Sequence, residues 1–324
     1  MRELSVFIFV LFLVIACEEE ATKESSVIEV VKNESYYQGL LKNDSLNAKL
    51  WREYGAFCFK GDNELKGITC FERSLKIDSS NFDVSFKLSE LYFKRVVLKK
   101  SHIHLKHCIR LDSLQTQPYL NLAQLYIFKS DYRSAFKYIN SGLRINNYLP
   151  QAYFMKGVCY KHLRDTIKAL SSFKTAIEID PNYFASYPEI GLILTSQNDS
   201  NGIHYYRNAL EVSPKNPEAW FGLAWSYQAF DKSELAMKEY QAILDSYPNY
   251  IDAKFNLGLL RLSNNELLKA KKLFFEFVNE QPKSVDAYYN LYKCFSIEGD
   301  VKKAKEFKEI VLELNPEYFA DDAK

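Results

Sequence analysis

The sequence is poor in the residues that interrupt helices and strands. Its 324 residues include only 11 glycines and 9 prolines, which is too few for a loop-rich fold. It also has no GKS or GKT phosphate loop, no HExxH pair and no CxxC pair, the short motifs that mark nucleotide hydrolases, zinc hydrolases and many thiol sites. The sequence therefore predicts a mostly helical, non-catalytic protein that needs no cofactor and no metal.

Neither sign of charge is in excess. Lysine and arginine total 42, and aspartate and glutamate total 41, so nothing in the net charge attracts the chain to nucleic acid. Hydrophobic residues make up 47% of the chain, with 23 tyrosines and 23 phenylalanines. That content favours a folded protein with a large apolar core and argues against disorder.

The first 17 residues have the pattern of an exported protein. Leu4 to Ile15 is apolar except for Ser5, a run shorter than the roughly 20 residues of a permanent membrane helix. A signal peptide over residues 1–16 fits better. Val14-Ile15-Ala16-Cys17 resembles the lipobox of bacterial lipoproteins, which implies cleavage before Cys17 and acylation of its thiol with fatty acids such as palmitate. A plain signal peptide and an uncleaved anchor are the alternatives.

Residues 17–47 would then hold the lipidated cysteine, a tether and a helix within Val27 to Leu41 that caps the first repeat. The tether begins with Glu18, Glu19 and Glu20. A solvated linker is one interpretation. The other is a resemblance to acidic runs that direct lipoproteins of some Gram-negative bacteria to the outer leaflet of the outer membrane. The resemblance implies a lipid-anchored protein of the bacterial cell envelope, at the outer membrane, facing the periplasm or the surface.

The remaining cysteines show no disulfide framework. Their number is odd and their spacing irregular, so we expect small buried apolar side chains at Cys58, Cys70, Cys108, Cys159 and Cys294. His102, His104 and His107 lie beside Cys108, and the four-residue spacing of His104 and Cys108 would suit metal ligands. Because Cys108 falls at a small core position of the repeat described next, an ordinary mixed helix is the prediction.

A period of 34 residues dominates the rest of the chain. The clearest copy spans residues 150–183 and holds two helical stripes and then a proline: Tyr153, Gly157 and Tyr160; Ala169, Phe173 and Ala176; Pro181. Spacings of three and four place each set on one face of a helix. Small residues where the two helices cross predict a close-packed hairpin. One hairpin cannot bury both of its faces, so the copies must stack.

Eight copies keep this register: residues 48–81, 82–115, 116–149, 150–183, 184–216, 217–250, 251–284 and 285–318. The fifth copy departs from it. It is one residue short, and Pro188 falls inside its first helix, where a kink or a late helix start is expected.

The pattern resembles the tetratricopeptide repeat, W-x2-L-G-x2-Y, then A-x3-F, then P, over roughly residues 48–318. The resemblance implies an all-α, right-handed superhelical solenoid of about eight helix-turn-helix hairpins. It also implies that the first helices line a concave groove that binds extended peptides or partner helices. Residues 319–324 would form only a short tail, which leaves an apolar face on the last helix for self-association.

The groove positions implied by the resemblance are rich in aromatic and apolar residues. They are Arg52, Phe59, Phe86, Glu90, Phe93, Leu120, Gln124, Phe128, Phe154, Lys161, Phe221, Trp225, Phe255, Leu259, Tyr289 and Lys293. Exposed apolar patches usually mark binding sites, so we expect a protein or peptide partner with apolar or aromatic anchors. The alternative is that several of these residues, above all those at the fifth position of a copy, pack between neighbouring hairpins.

The function predicted from the sequence is a protein–protein interaction scaffold. The leading hypothesis is an envelope lipoprotein that assists assembly of a membrane or secretion complex through an apolar concave groove. The alternative is an accessory subunit of an envelope enzyme complex that handles polysaccharide or peptidoglycan. The lysine, arginine and asparagine clamp of repeats that bind chaperone tails is not matched here, so that ligand class is not expected.

Overall fold

The computed structural model describes residues 33–319, and these form seventeen α-helices and no strand. A single helix, α1 (Glu34–Asn43), precedes eight hairpins. The first four hairpins are α2 (Ala48–Lys60) with α3 (Glu64–Ile77), α4 (Phe82–Lys94) with α5 (Leu98–Leu111), α6 (Gln117–Phe128) with α7 (Tyr132–Ile145), and α8 (Pro150–His162) with α9 (Thr166–Ile179). The last four are α10 (Ser186–Ser196) with α11 (Asn201–Val212), α12 (Pro217–Ala229) with α13 (Ser233–Ser246), α14 (Ile251–Ser263) with α15 (Leu267–Glu280), and α16 (Val285–Glu298) with α17 (Val301–Leu314). The predicted all-α architecture of eight hairpins is confirmed.

The chain divides into two compact units, one ending at Val84 and the other running from Ser85. In the first unit, α1 packs on α2: the rings of Tyr37 and Tyr54 stack with centroids 5.2 Å apart, and Leu41 is buried in the same cluster. The predicted capping helix is therefore present from Glu34 onward. The predicted signal peptide, Cys17 and the acidic run lie outside the described residues.

The turns between the two helices of each hairpin repeat one backbone conformation. The fifteenth residue of every copy has a positive φ, between 55° and 84°: Asp62, Val96, Ser130, Arg164, Asn198, Asp231, Asn265 and Gly299. A left-handed residue turns the chain sharply at the end of a helix. This residue recurs every 34 positions, except that 33 separate Asn198 from Asp231, where the predicted fifth copy is one residue short.

The small residues at helix crossings have the predicted role. A Cβ added to Gly157 would lie 2.5 Å from Cε1 of Phe173, which is closer than any carbon contact tolerates. Ala169, Phe173 and Ala176 are fully buried. The glycine thus lets α8 approach the phenylalanine of α9, and the packing is close enough to specify the pairing.

The fifth copy is irregular in both of its helices. Its first helix, α10, begins only at Ser186, so Pro188 lies in the first turn, where its missing N–H breaks no helical hydrogen bond. A late helix start, not a kink, is what the structure shows. Its second helix, α11, has 12 residues, whereas α9 and α13 have 14 each.

The carboxyl-terminal residues cover part of the last hairpin. Tyr318 and Phe319 lie 5.1 Å and 5.8 Å from the ring of Tyr289, and the ammonium group of Lys308 lies 5.0 Å from the Phe319 ring. The exposed residues of α17 are mainly lysine and glutamate. Self-association through the last helix stays a prediction.

The five cysteines of the described region are buried and form no disulfide with one another. Burial raises the pKa of Cys159 to about 12 and that of Cys294 to about 11, so these thiols stay protonated at neutral pH. Their prediction as small core side chains is confirmed. No helix within residues 33–319 has both the length and the hydrophobicity needed to cross a bilayer.

Candidate functional site

The first helices of successive copies lie beside one another. Contacts join α6 to α8, α10 to α12 and α14 to α16. Within the second unit, the first helices form a shared face, here called the inner face, on which the predicted groove residues of these helices fall. The first and second helices both contribute to the buried core.

A cavity of about 240 Å³ opens on the inner face between α4, α5, α6 and α8. It is lined by Ser89, Glu90, Phe93, Lys94, Ser101, Leu105, Gln117, Asn121, Gln124 and Gln151. Three of the predicted groove residues, Glu90, Phe93 and Gln124, therefore meet at one place. We call this cavity the amide pocket.

Carboxamide side chains dominate one wall of the amide pocket. Gln117 and Asn121 lie one turn apart on α6, and the Nε2 of Gln117 donates to the Oδ1 of Asn121 at 2.8 Å. Gln124 continues the stripe, and Gln151 adds a fourth amide from α8. Of these four residues, only Gln124 is among the groove positions predicted from the sequence. The spacing of four and three along α6 is the signal that places Gln117 and Asn121 beside it.

The floor of the amide pocket contains a buried hydroxyl group without a partner. Ser101 is fully buried, and its Oγ has no hydrogen-bond partner. Ser89, by contrast, donates to the carbonyl of Phe86 at 2.6 Å. A buried hydroxyl left unpaired costs about 1–3 kcal/mol, and because Ser101 is fully buried this cost falls on the stability of the fold and not on ligand binding.

An aromatic pair borders the amide pocket. The rings of Phe93 and Phe128 meet edge to face with centroids 6.0 Å apart. Phe128 is 59% exposed, which makes it the most accessible aromatic residue among the predicted groove positions. An exposed ring held by a second ring is a suitable anchor for an apolar side chain.

Further along the chain, the fifth-position aromatics pack inside the fold. Each is half-buried and contacts rings of its own hairpin or of the turn that follows: Phe154 with Phe173 and Tyr183, Phe221 with Tyr240 and Tyr250, and Phe255 with Phe274 and Phe277, all with centroids 5.0–5.9 Å apart. These three residues therefore pack against neighbouring rings, as the alternative interpretation of the sequence stated. The inner face is consequently less apolar than the sequence suggested.

The other predicted groove residues of the second unit differ in their exposure and in the contacts they make. Leu120 is 1% exposed and belongs to the core, which corrects its assignment to the groove. Lys161 forms an ion pair with Glu189 at 2.6 Å, and Lys293 lies over the ring of Tyr289 at 5.0 Å. Three more are half-buried on the inner face: Phe86, Trp225 and Leu259.

In the first unit the two predicted groove residues make contacts within their hairpin. Arg52 lies 3.7 Å from the carboxylate of Asp78. Phe59 packs edge to face on Phe71 at 5.0 Å and occupies the space above Gly67. Whether either residue binds a partner stays a prediction.

The histidines of α5 are packing residues. The Nδ1 of His107 lies 3.0 Å from the Oγ of Ser85, and the Nε2 of His102 lies 3.3 Å from the hydroxyl of Tyr126. Burial lowers the pKa of both histidines, helped by the positive charge of Arg110 near His107 and of Lys106 and Lys129 near His102. Across residues 33–319 no group of three or more potential ligand side chains is arranged to hold a metal ion.

Comparison with known proteins agrees with this geometry. Tetratricopeptide repeat models match residues 116–148, 150–183 and 205–238. Protein NPGR2 of Arabidopsis thaliana is 25% identical over 222 residues, which are 67% of this chain but only 27% of that protein. The chain thus corresponds to about a quarter of the length of that relative.

Two solved structures share the fold. PilW, a widely conserved type IV pilus biogenesis factor, matches with a TM-score of 0.54 and 22% identity, over 63% of this chain and 94% of PilW. The Cut9–Hcn1 hetero-tetramer of the APC/C matches with a TM-score of 0.57 and 13% identity, over 80% of this chain and 52% of the matched chain. The chain therefore contains tetratricopeptide repeats and has the fold of tetratricopeptide-repeat solenoids, which serve as scaffolds that bind protein or peptide partners.

Proposed function

We propose that this protein is a non-catalytic scaffold that holds an extended segment of a partner protein against the amide pocket. The observation that carries the proposal is the pocket itself, about 240 Å³ in volume and lined by four carboxamide side chains. It lies on the inner face, where the resemblance to tetratricopeptide repeats places the binding groove.

The chemistry of the pocket fits a polypeptide main chain. Carboxamides both donate and accept hydrogen bonds, so they match the alternating N–H and C=O groups of an extended strand. Glu90 and Lys94 contribute one charge of each sign, which gives no preference for a strongly charged ligand. The Phe93–Phe128 pair adds one apolar anchor beside the pocket, so the partner segment is expected to combine a mostly uncharged main-chain contact with one apolar side chain.

The Ser85–His107 contact does not provide a catalytic site. Ser85 is fully buried, so a substrate has no access to its hydroxyl group. Nucleophilic catalysis also needs a residue that orients the histidine, together with space for the reacting group. The contact is better explained as packing between α4 and α5, which supports a binding role for the protein.

The proposed location is the bacterial cell envelope, with Cys17 as the lipid anchor at the outer membrane. The lipobox-like sequence before Cys17 supports this, and the shared fold with a pilus biogenesis factor is compatible with a role in assembling a membrane or secretion complex. The alternative role is that of an accessory subunit of a polysaccharide- or peptidoglycan-handling enzyme complex. In that case the partner would be an enzyme.

Site-specific photocrosslinking in intact cells tests the binding proposal. A benzophenone amino acid replaces Gln124 at the pocket, and in a matched control it replaces Ile167, which is 82% exposed on the outer side of α9. We expect a discrete adduct from position 124 that is lost when Phe128→Ala is added, and no such adduct from position 167. Identical adducts from both positions, or none from position 124, would rule out the pocket as the binding site.

Metabolic labelling tests the anchor independently. Labelled palmitate should enter the parent protein and not the Cys17→Ser variant. Protease treatment of intact cells would then show which side of the membrane the repeats face. Incorporation of label into Cys17→Ser would reject the lipid anchor without affecting the proposal about the pocket.

A further inference from the structure

The turn between α4 and α5 breaks the rule that the other seven hairpin turns follow. In those turns the residue with positive φ is Asp, Ser, Arg, Asn or Gly, whereas the second hairpin has Val96 with a φ of 59°. A β-branched side chain in the left-handed region clashes with its own backbone and is a true outlier. Such strain is often retained for a functional reason.

The strained valine is also exposed. Val96 is 60% exposed, and its neighbour Val97 is 39% exposed. Val97 precedes α5 and makes no side-chain capping hydrogen bond, although polar residues are preferred at this position. Two successive positions that favour polar residues therefore present apolar side chains to solvent.

The chain around this turn is strongly basic. From Leu91 to Leu111 there are six lysines and arginines and no aspartate or glutamate, in a protein whose net charge is only +1. Lys99, Lys106 and Arg110 follow one another along the exposed side of α5, with Ile103, which is 53% exposed, among them. This side of the helix and the turn form one surface, here called the basic turn surface.

We propose that the basic turn surface docks on an anionic phospholipid membrane. Lysine and arginine at the edges would lie among the lipid headgroups, while Val96, Val97 and Ile103 enter the interfacial layer. A projecting turn with flexible cationic side chains needs no matching cavity in its partner, because a bilayer adapts to its shape. The exposed cations Lys99, Lys106 and Arg110 complement anionic lipid, whereas Lys94, Arg95 and Lys100 are already engaged in contacts within the protein. An acidic protein surface is the competing occupant that the experiment distinguishes.

The first experiment places an environment-sensitive fluorophore at the turn. The full-length protein carries Val97→Cys, and the matched control carries Lys232→Cys, at the corresponding position of α13, which also lacks a side-chain cap. Unsubstituted protein controls for labelling of other cysteines, and the five in the described region are buried. Each protein is reconstituted into vesicles of phosphatidylcholine alone or with phosphatidylglycerol.

We expect a blue shift and protection from an aqueous quencher only for the label at position 97 and only with phosphatidylglycerol. Lys99→Glu should weaken the response, since each basic residue near an anionic surface contributes roughly fivefold to binding. High salt should abolish most of it. An equal response at position 232, or a response in phosphatidylcholine alone, would overturn the proposal. A response in native membranes that is absent from every lipid vesicle would assign the surface to a protein partner instead, which also overturns it.

A second variant separates docking from folding. Asparagine tolerates the left-handed conformation much better than valine, so Val96→Asn should raise the unfolding temperature while it reduces the response to phosphatidylglycerol. Full retention of membrane docking by this more stable variant would show that the strained valine plays no part in it.

Discussion

The inner face between α4 and α8 is open and polar, whereas the inner face between α12 and α16 is closed by aromatic packing. First helices build both, but from different positions of the repeat: the ninth residues Glu90 and Gln124 line the open region, and fifth residues such as Phe221 close the other. The difference originates in the second helices, which supply Leu105 and Ile139 behind the open region and Tyr240 and Phe274 behind the closed one. A smaller side chain at this position leaves room for the amide pocket, while a large ring holds the first-helix aromatic residue in place.

Polar contacts reinforce the same difference. Lys254 pairs with Glu280 within the hairpin of α14 and α15, and Lys271 pairs with Glu298 of the next hairpin, so ion pairs hold the closed region together within one hairpin and between two. The open region has instead an unpaired hydroxyl at Ser101 and histidine contacts on α5. One repeat pattern therefore supplies a rigid support in one part of the chain and an accessible surface in another.

Truncating a packed ring should have the largest effect. Phe221→Ala removes contacts with Tyr240 and Tyr250 and should lower the free energy of unfolding by about 2–4 kcal/mol, because the cavity can collapse only in part. Phe128→Ala, at an exposed ring, should change it by less than about 0.5 kcal/mol. Urea unfolding followed by circular dichroism measures both. Equal losses would show that the two regions do not differ in packing.

These expected stability effects decide which variant can test partner binding. Loss of partner capture by Phe221→Ala could result from a damaged fold, so that variant does not test the groove. Phe128→Ala is the informative substitution, since it should keep the fold and lose the partner.

Breaking an inter-hairpin ion pair should have the next largest effect. Glu298→Gln leaves the ammonium of Lys271, whose side chain is only 11% exposed, without its carboxylate, and should cost about 1–3 kcal/mol. The control is Glu309→Gln, which disrupts an exposed pair with Lys305 at 3.9 Å and should cost less than about 0.5 kcal/mol. Chemical denaturation at low and high salt would measure both variants. Equal losses of unfolding free energy in the two variants would show that the pair with Lys271 stabilises the closed region no more than an exposed ion pair does.

Acidification should loosen the open region selectively. All five histidines of the chain lie between residues 102 and 204, and the pKa values of His102 and His107 are lowered from 6.5, chiefly by burial. Below pH 6.5 these two histidines bind more protons in the unfolded chain than in the folded one. The free energy of unfolding therefore falls as the pH drops from 6.5 toward the pKa values of the folded state, and above pH 6.5 it does not depend on these histidines. Hydrogen exchange, corrected for intrinsic rates, should show lost protection in α5 and not in α14 to α16. Replacing His102 and His107 with glutamine should abolish the difference in protection between α5 and α14 to α16. An equal loss of protection across the chain would contradict the prediction.

The repeat pattern predicted the fold well because its positions are set by helix geometry. Gly157, Phe173 and the hairpin turns recur at fixed intervals, and each has the packing that the spacing implied. The open and closed regions could not be distinguished in this way, because the exposure of a first-helix residue depends on which side chains of other helices pack against it. Phe128 and Phe221, at the thirteenth and fifth positions of their copies, were both assigned to the groove, and only Phe128 is exposed there.

The smallest expected effect comes from the buried hydroxyl beneath the amide pocket of the open region. Ser101→Ala removes a buried hydroxyl without a partner and should raise the free energy of unfolding by up to about 1 kcal/mol. Ser74→Ala is the matched control: Ser74 is equally buried, but its Oγ donates to the carbonyl of Ala48 at 2.9 Å, so its loss should cost about 1 kcal/mol. Crosslinking from position 124 should be unchanged in both variants, because neither buried hydroxyl is accessible to a ligand, which is then held by the carboxamides and Phe128 alone. Weaker crosslinking in a stabilised Ser101→Ala would show instead that the ligand reaches the floor of the pocket.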